Sequence, residues 1–401
     1  MDMEKTKQIK QADIRERNLK NVYTYVLHHP GVSRAKIAKA LELSRPSSSS
    51  LVDELLTIGA IFEDGKDRRE GGLGRIPIQI KADFRKDYAI VLFWQRGKID
   101  GSIVSLEQGN PYSERRMGHC TVEVPSSKEF GRESLDILRS LRKKQEGRYH
   151  YIGTGIVLPG IVDRERKCIL SYPLGMDIEC GKKVISELEE SGEEAIGLFN
   201  DNAILGYAAM ERLGLQEKNF LYVNLSEGVG AAYFMGGEVF GGAGGNLTQF
   251  GHSIVHPGGT RCSCGSLGCL EAEIGRRGIR ALIGREEPLQ RILENKDRER
   301  GEYEKVRRKY IEDFALALSN VSTVVFPDLI LLGGALPLWG EEFLKELRKE
   351  ITRIGFSYIM QDLRLLYSEE TEEEVRVKAA DYFFSREYRF LERGIRGIHL
   401  G

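Results

Sequence analysis

The spacing of apolar positions over the first eighty residues predicts three helices and a hairpin. Leu19, Val22, Tyr23, Val26 and Leu27 recur at three- and four-residue intervals, which puts them on one face of a helix over Asn18–His28. Ser33 is an N-cap residue type ahead of a short helix reaching Ala40, with Ile37, Ala38 and Leu41 facing inward. Leu41–Leu43 reads as a tight turn. Ser44 then caps a third helix, with Pro46 in the first turn, where no backbone donor is needed. Leu51, Leu55 and Leu56 mark its apolar side and Gly59 its stop. Ile61–Phe62, a charged stretch over Glu63–Arg75 and Ile76–Ile80 predict a β-hairpin.

After a linker at Asp83–Lys86 the pattern changes to apolar strand-like runs alternating with helical ones. Tyr88–Trp94, Ile99–Ser105, Tyr151–Val157 and Phe220–Leu225 predict strands, and Leu329–Leu332 a buried strand running into Gly333-Gly334. Ser127–Glu146, Gly181–Ser191, Ala203–Arg212 and Glu304–Val325 predict helices. That alternation is α/β architecture, and two such halves facing one another would enclose a cleft for a small ligand.

Composition narrows the class. At 401 residues the chain is long enough for two or three domains. No apolar run approaches the roughly 20 residues of a membrane span, so no membrane partner is expected. The opening MDMEKTKQIKQ lacks the apolar core of a secretory signal, and the cytoplasm is the expected location. The net charge of −1 is unevenly placed, since residues 1–80 hold 14 Lys+Arg against 11 Asp+Glu. A small basic head on a near-neutral body suits DNA binding. Two short helices joined by a turn, the second presenting Arg45, Ser47, Ser48 and Ser49, is helix-turn-helix order, with Arg34 on the helix before it. Arg68, Arg69 and Arg75 would sit on the wing and reach phosphates. The competing reading of the head is a small helical interaction module with a solvated basic loop.

Cys120, Cys168 and Cys180 are scattered and read as packing residues, whereas Cys262, Cys264 and Cys269 are clustered in GHSIVHPGGTRCSCGSLGCLE. Three thiolates with one imidazole, from His252 or His256, suit tetrahedral zinc. Such a set is closed, so the ion (Zn2+) would be structural, and the loop's glycines let a short segment wrap it.

With the zinc loop and the winged head together, the chain resembles the ROK family of repressors and sugar kinases, from about Asn18 to past Gly334. The resemblance implies a two-lobed, actin/hexokinase-like sugar-kinase fold at 81–401 behind a winged helix-turn-helix at 1–80. It favours His252 over His256 as the zinc ligand. Phe199-Asn200-Asp201-Asn202-Ala203 is similar to the family's asparagine–aspartate motif, which implies a sugar contact for Asn200 and the base of the kinase reaction for Asp201. His252 would face the sugar as well as the zinc, Glu271 matches a sugar-binding glutamate, and Pro159-Gly160 a loop beside the sugar. Without the resemblance, Asn200-Asp201 reads as a helix cap.

Three positions depart from the kinase pattern. The Asp-Ile-Gly-Gly-Thr turn of the kinases is replaced by Leu92-Phe93-Trp94-Gln95-Arg96-Gly97, whose bulk would hinder close backbone approach to a phosphate. Ser226-Glu227-Gly228-Val229-Gly230 puts a carboxylate in the second phosphate loop. Gln249 stands where the family has a sugar-gripping glutamate. The sequence therefore reads as a sugar-responsive transcriptional regulator, a repressor in type. Operator DNA and a sugar or sugar derivative would be its partners, with a homodimer or dimer of dimers as the assembly. The sugar would lie among Asn200, Asp201, Gln249, His252 and Glu271, and no catalytic residue is expected, Asp201 being a vestigial base. The alternative is an ATP-dependent sugar kinase carrying an appended head.

Overall fold

The computed structural model describes residues 11–66, 78–85, 87–105, 118–163, 166–191, 196–226, 228–241, 249–385 and 398–400. The head comprises α1 (Gln11–His28), α2 (Arg34–Ala40), α3 (Arg45–Thr57), β1 (Ile61–Lys66) and β2 (Ile78–Ala82). The predicted caps form: Ser33 Oγ accepts from the Lys36 amide at 3.4 Å and Ser44 Oγ from the Ser47 amide at 3.2 Å. Val22, Tyr23, Val26, Ile37, Leu51, Val52 and Leu55 meet Ile61 and Ile80 in one core. β1 and β2 pair antiparallel from Ile61↔Ala82, and a bridge Val32↔Ile80 ties the hairpin to the helices. α1 begins at Gln11 rather than Asn18, because residues 11–17 are mostly polar and carry no apolar period to read. Arg15 on that extension pairs with Glu54 of α3 at 2.6 Å.

The body's first half contains β3 (Asp87–Gln95), β4 (Lys98–Val104), β5 (His119–Glu123), α4 (Phe130–Gln145), β6 (His150–Leu158), β7 (Ile161–Asp163), β8 (Cys168–Leu170), α5 (Ile178–Glu190), β9 (Ile196–Asn200) and α6 (Asp201–Leu213). The second contains β10 (Phe220–Leu225), β11 (Val229–Met235), β12 (Glu238–Val239), α7 (Leu270–Ile274), α8 (Arg276–Ile283), α9 (Leu289–Glu294), α10 (Arg300–Val325), β13 (Leu329–Gly334), α11 (Gly340–Ile354), α12 (Ser357–Met360), β14 (Arg364–Tyr367), α13 (Glu372–Ser385) and β15 (Ile398–Leu400). One sheet has the order β15-β9-β6-β3-β4-β5 and the other β12-β11-β10-β13-β14. In the first, β3, β6 and β9 run parallel, with the antiparallel hairpin β3–β4 on one side. In the second, β10, β13 and β14 run parallel and β11 antiparallel.

Both central sheets are covered on both faces, which is why β3, β9 and β10 read as nearly unbroken apolar runs. α4 and α5 pack Leu138, Leu141, Val184 and Leu188 onto Ile90, Leu92 and Ile156 of the first sheet. α10 and α11 pack Phe314, Leu318, Phe343 and Leu347 onto Leu221, Val223, Ile330 and Leu332 of the second. α6 bridges them, placing Ile204 in a first-sheet cluster and Ala209 in a second-sheet one. α5 begins at Ile178 rather than at Gly181, since Asp177 Oδ1 caps it through the Cys180 amide at 2.8 Å. Among the described residues no helix is long and apolar enough to cross a membrane.

Candidate functional site

The carboxyl ends of β6, β9 and β10 converge on a cleft of about 490 Å³, the usual place for a ligand in parallel α/β sheets. Pro159 and Gly160 follow β6, Asn200 ends β9, and Asn224 and Ser226 lie at the end of β10. Asn200, Asp201, Gln249, His252 and Glu271 all line this cleft.

Asn200 acts as a cap and a bracket together. Its Oδ1 accepts from the Ala203 amide at 3.1 Å, the N-cap bond of α6, and its Nδ2 donates to the Gly160 carbonyl at 2.7 Å. The cap reading of this motif is thus correct, and it is also what aims the next residue into the cleft. Asp201 Oδ1 accepts from the Asn202 amide and from Asn202 Nδ2, at 2.8 and 2.9 Å. Asn202 Oδ1 in turn accepts from Asn224 Nδ2 at 3.1 Å, tying α6 to β10. Burial pushes the Asp201 carboxyl up to about 7, against the pull of its backbone amide donors. No basic side chain lies within ion-pair distance of it among the described residues.

Glu271, on α7, reaches across to accept from the Val229 amide at 3.1 Å. A Cβ on Gly228 would come within 2.2 Å of Glu271 Oε2, so a side chain there would push the Glu271 carboxylate aside. Gln249 is exposed at the cleft and precedes the short turn that carries His252. His252 sits edge-on to the Tyr172 ring, with centroids 6.2 Å apart, and its Nδ1 is 3.5 Å from Cys262 Sγ.

The donor atoms of His252, Cys262, Cys264 and Cys269 lie within 4.8 Å of one another. Cys264 and Cys269 sulfurs are 3.7 Å apart, close to the edge of a tetrahedron built on bonds of about 2.3 Å to zinc. Burial, reinforced by the neighbouring thiols, pushes Cys269 up to about 12. His256 belongs to a different cluster: its Nε2 meets Asp313 Oδ1 at 2.7 Å, and Lys309 joins Asp313 and Glu273 at 2.9 and 3.0 Å.

The stretch that replaces the kinase phosphate loop is a closed hairpin. β3 and β4 pair down to Gln95↔Lys98, leaving a two-residue turn of Arg96 and Gly97, the latter at φ 73°. Trp94 borders the cleft, but strand alternation turns its ring into the first-sheet core, where Nε1 donates to Ser134 Oγ at 2.9 Å. Of the bulky residues expected in this stretch, Phe93 stands on the other face of the strand, beneath the Arg376 guanidinium at 5.0 Å. Glu227 lies outside the described residues.

In the head, Arg45 and Ser47 are exposed on the first turn of α3 and Ser49 is half-buried. Ser48 is a correction: it is 1% exposed, one turn before Leu51 and Val52 on the inner face, and cannot meet DNA from there. Arg34 ties α2 to its neighbours, donating to Asp53 Oδ1 at 2.6 Å and Glu63 Oε1 at 3.0 Å. Arg68, Arg69 and Arg75 lie outside the described residues. Sequence reasoning missed Asn224, Tyr172, Arg96 and Lys98 at the cleft. Asn224 had a readable signal, an amide inside the apolar run Phe220–Leu225; Tyr172 and Arg96 sit in turns and Lys98 at the start of β4, and their neighbours in the cleft are supplied only by the fold.

A profile described as the ROK family matches residues 104–377. A protein named putative xylose repressor from Caldicellulosiruptor sp. (strain Rt8B.4) is 25% identical over 373 residues, covering 86% of this chain and 90% of that one. A ROK family transcriptional regulator, described as a homologue of the E. coli MLC protein, superposes with a TM-score of 0.75 at 19% identity, covering 94% of this chain and 98% of that one. A ROK hexokinase from Thermus thermophilus superposes with a TM-score of 0.58 at 20% identity, covering 77% of this chain and all of that one.

Proposed function

The chain belongs to the ROK family, and from that premise we propose that it is a sugar-responsive transcriptional repressor whose head, residues 1–80, binds operator DNA and whose body, residues 81–401, senses a sugar. The observation that carries this reading is the pairing, in one chain, of two side-chain-capped helices presenting Arg45 and Ser47 with a cleft lined by Asn200, Asp201, Gln249, His252 and Glu271. The full-length similarity to a protein named as a xylose repressor supports it. Carboxylates and amides at the cleft suit vicinal hydroxyls, each a donor and an acceptor. Tyr172, edge-on to His252, would supply an apolar wall.

His252, Cys262, Cys264 and Cys269 would hold a structural zinc ion, which when bound neutralises the thiolates and fixes the loop. His252 would then couple ion and cleft, with Nδ1 toward the thiols and its other nitrogen left for the ligand. In a homodimer or dimer of dimers, a sugar that binds the closed cleft better than the open one would shift the spacing of two heads, and with it operator affinity.

The test is a band-shift titration of the full chain on DNA selected from its own genome, with and without xylose and a panel of other pentoses and hexoses. One sugar should change the DNA affinity several-fold, and deleting residues 1–80 should abolish the shift. DNA binding that persists without the head, or that no sugar alters, would count against the assignment. Asp201 favours one second reading, an ATP-dependent sugar kinase, because a carboxyl near 7 suits a general base.

A further inference from the structure

The connection between head and body, read from the sequence as a linker, is fastened to the head. The Asp83 amide donates to the Ala60 carbonyl at 2.9 Å, just ahead of β1. Arg85 forks onto Asp83, Nε and Nη2 donating to its two carboxylate oxygens at 2.8 and 2.6 Å, and its guanidinium lies 4.3 Å over the Phe62 ring. The Phe84 carbonyl accepts from the Asp87 amide at 3.0 Å, a turn that leads straight into β3. A connection held at so many points passes a displacement on instead of absorbing it.

Phe84 itself packs against two apolar clusters. One is the head core, with Ile61 and Ile80 of the hairpin. The other joins Ala89 and Val91 of β3, Ile152 of β6, Ile204 of α6 and Ala379 of α13. Among the described residues no other side chain belongs to both. The second cluster is also a wall of the cleft, since its members Phe93, Val157, Leu205 and Val375 line that cleft.

α6 and α13 join the two halves of the body. α6 starts with Asp201 in the cleft and reaches the second-sheet cluster through Ala209, and α13 follows β14 of the second sheet back onto the first. Lys378 of α13 pairs with Glu211 of α6 at 2.7 Å, and Arg212 of α6 with Glu370, just before α13, at 2.9 Å. The two helices are thus tied to one another. Packed clusters of this kind switch between discrete arrangements instead of deforming smoothly.

We propose that Phe84 is the coupling residue of the molecule: its ring carries movement of the cleft wall to the head, so that a ligand in the cleft sets the orientation of the DNA-binding helices. The proposal deepens, and rests on, the reading of the chain as a sugar-responsive repressor. A ligand alters affinity at a distant site only through contacts that differ between two arrangements, and those of Phe84 with the cleft-wall cluster are the differing contacts.

The test compares the full chain with Phe84→Ala and with Phe84→Met, which refills both clusters with a flexible apolar side chain. Arg85→Gln is the independent second variant, because it releases the connection from the head at an exposed position. Scanning calorimetry without ligand reads the mechanical link. Head and body should unfold in one transition in wild type and Phe84→Met, and in two in Phe84→Ala, the head first. Band shifts with and without xylose, on DNA selected from the chain's own genome, read the signal. Xylose should change DNA affinity several-fold in wild type, less in Arg85→Gln and not at all in Phe84→Ala, with recovery in Phe84→Met. Calorimetric titration should find xylose binding retained throughout, since neither residue lines the cleft. A separate head transition already present in wild type, or a xylose response in Phe84→Ala equal to that of wild type, would overturn the coupling. If wild type ignores xylose, the sugar reading is what fails, and the melting profiles alone decide Phe84.

Discussion

Asp201 shows how one residue can serve two chemistries. Its Oδ1 is held by two donors from Asn202, and its carboxyl is pushed up to about 7 by burial. Between the ordinary value of 3.8 and about 7, the folded chain keeps a proton that the unfolded chain gives up. The associated stability is therefore fully present below about pH 4 and is lost as pH rises through 7. Asp201→Asn keeps an acceptor oxygen for both Asn202 donors but has no charge to bury. The melting temperature of the variant should accordingly gain on wild type from pH 4 to pH 7 and hold that lead above pH 8. The zinc loop titrates alike in both proteins, so the difference isolates position 201. Parallel melting curves across that range would show that the carboxyl is not raised by burial.

Helix ends and turns carry the information at the scale of elements. Ser44→Ala removes the acceptor for the Ser47 amide and should lower the stability of the head by about 1 kcal/mol, read from chemical denaturation of the full chain. Arg45→Ala, one residue on and exposed, should leave stability alone and weaken operator binding by about 1–3 kcal/mol where it meets a base. If both substitutions left DNA binding and head stability unchanged, α3 would not be the recognition helix. The caps at Ser33 and Ser44 and the apolar faces of α2 and α3 were legible because local chemistry alone decides them. Ser48 was misread for a related reason: a run of four serines has no apolar contrast, so its inward register shows only in Leu51, Val52 and Leu55 beyond it. β6 and β10 were legible as apolar runs, whereas β7, β8 and β12 are arms of local hairpins only two or three residues long, too short to show an alternation. The cysteine cluster was legible from its spacing and the family resemblance favoured His252 as its imidazole; the fold brings His252 to the three thiols and gives His256 to Asp313. Cys264→Ser should lower bound zinc from about one ion per chain and destabilise the body, as metal analysis with thermal unfolding would reveal. A wild-type protein purified without zinc would remove the ion from this account.

At the scale of the whole molecule, the kinase-like body carrying Asp201 is expected to be a poor phosphotransferase. Phosphoryl transfer depends mainly on positioning and on stabilising charge at the transferred phosphate, and a general base contributes only roughly 10²–10⁴-fold. The turn where kinases hold phosphate is here the two-residue Arg96-Gly97 connection, with β3 and β4 paired to its foot at Gln95↔Lys98 and Phe93 beneath Arg376 on the cleft side. A two-residue connection is too short to wrap backbone amides around a phosphate as a glycine-rich loop does. The expectation is that magnesium-ATP is not consumed at an enzymatic rate with any hexose, pentose or N-acetylated amino sugar. Asp201→Asn should instead blunt the sugar's effect on DNA binding while leaving DNA binding itself intact. A coupled ATP-consumption assay on the full chain decides it: turnover of about 1 s⁻¹ or faster that Asp201→Asn abolishes would make the protein a working kinase with a DNA-binding head.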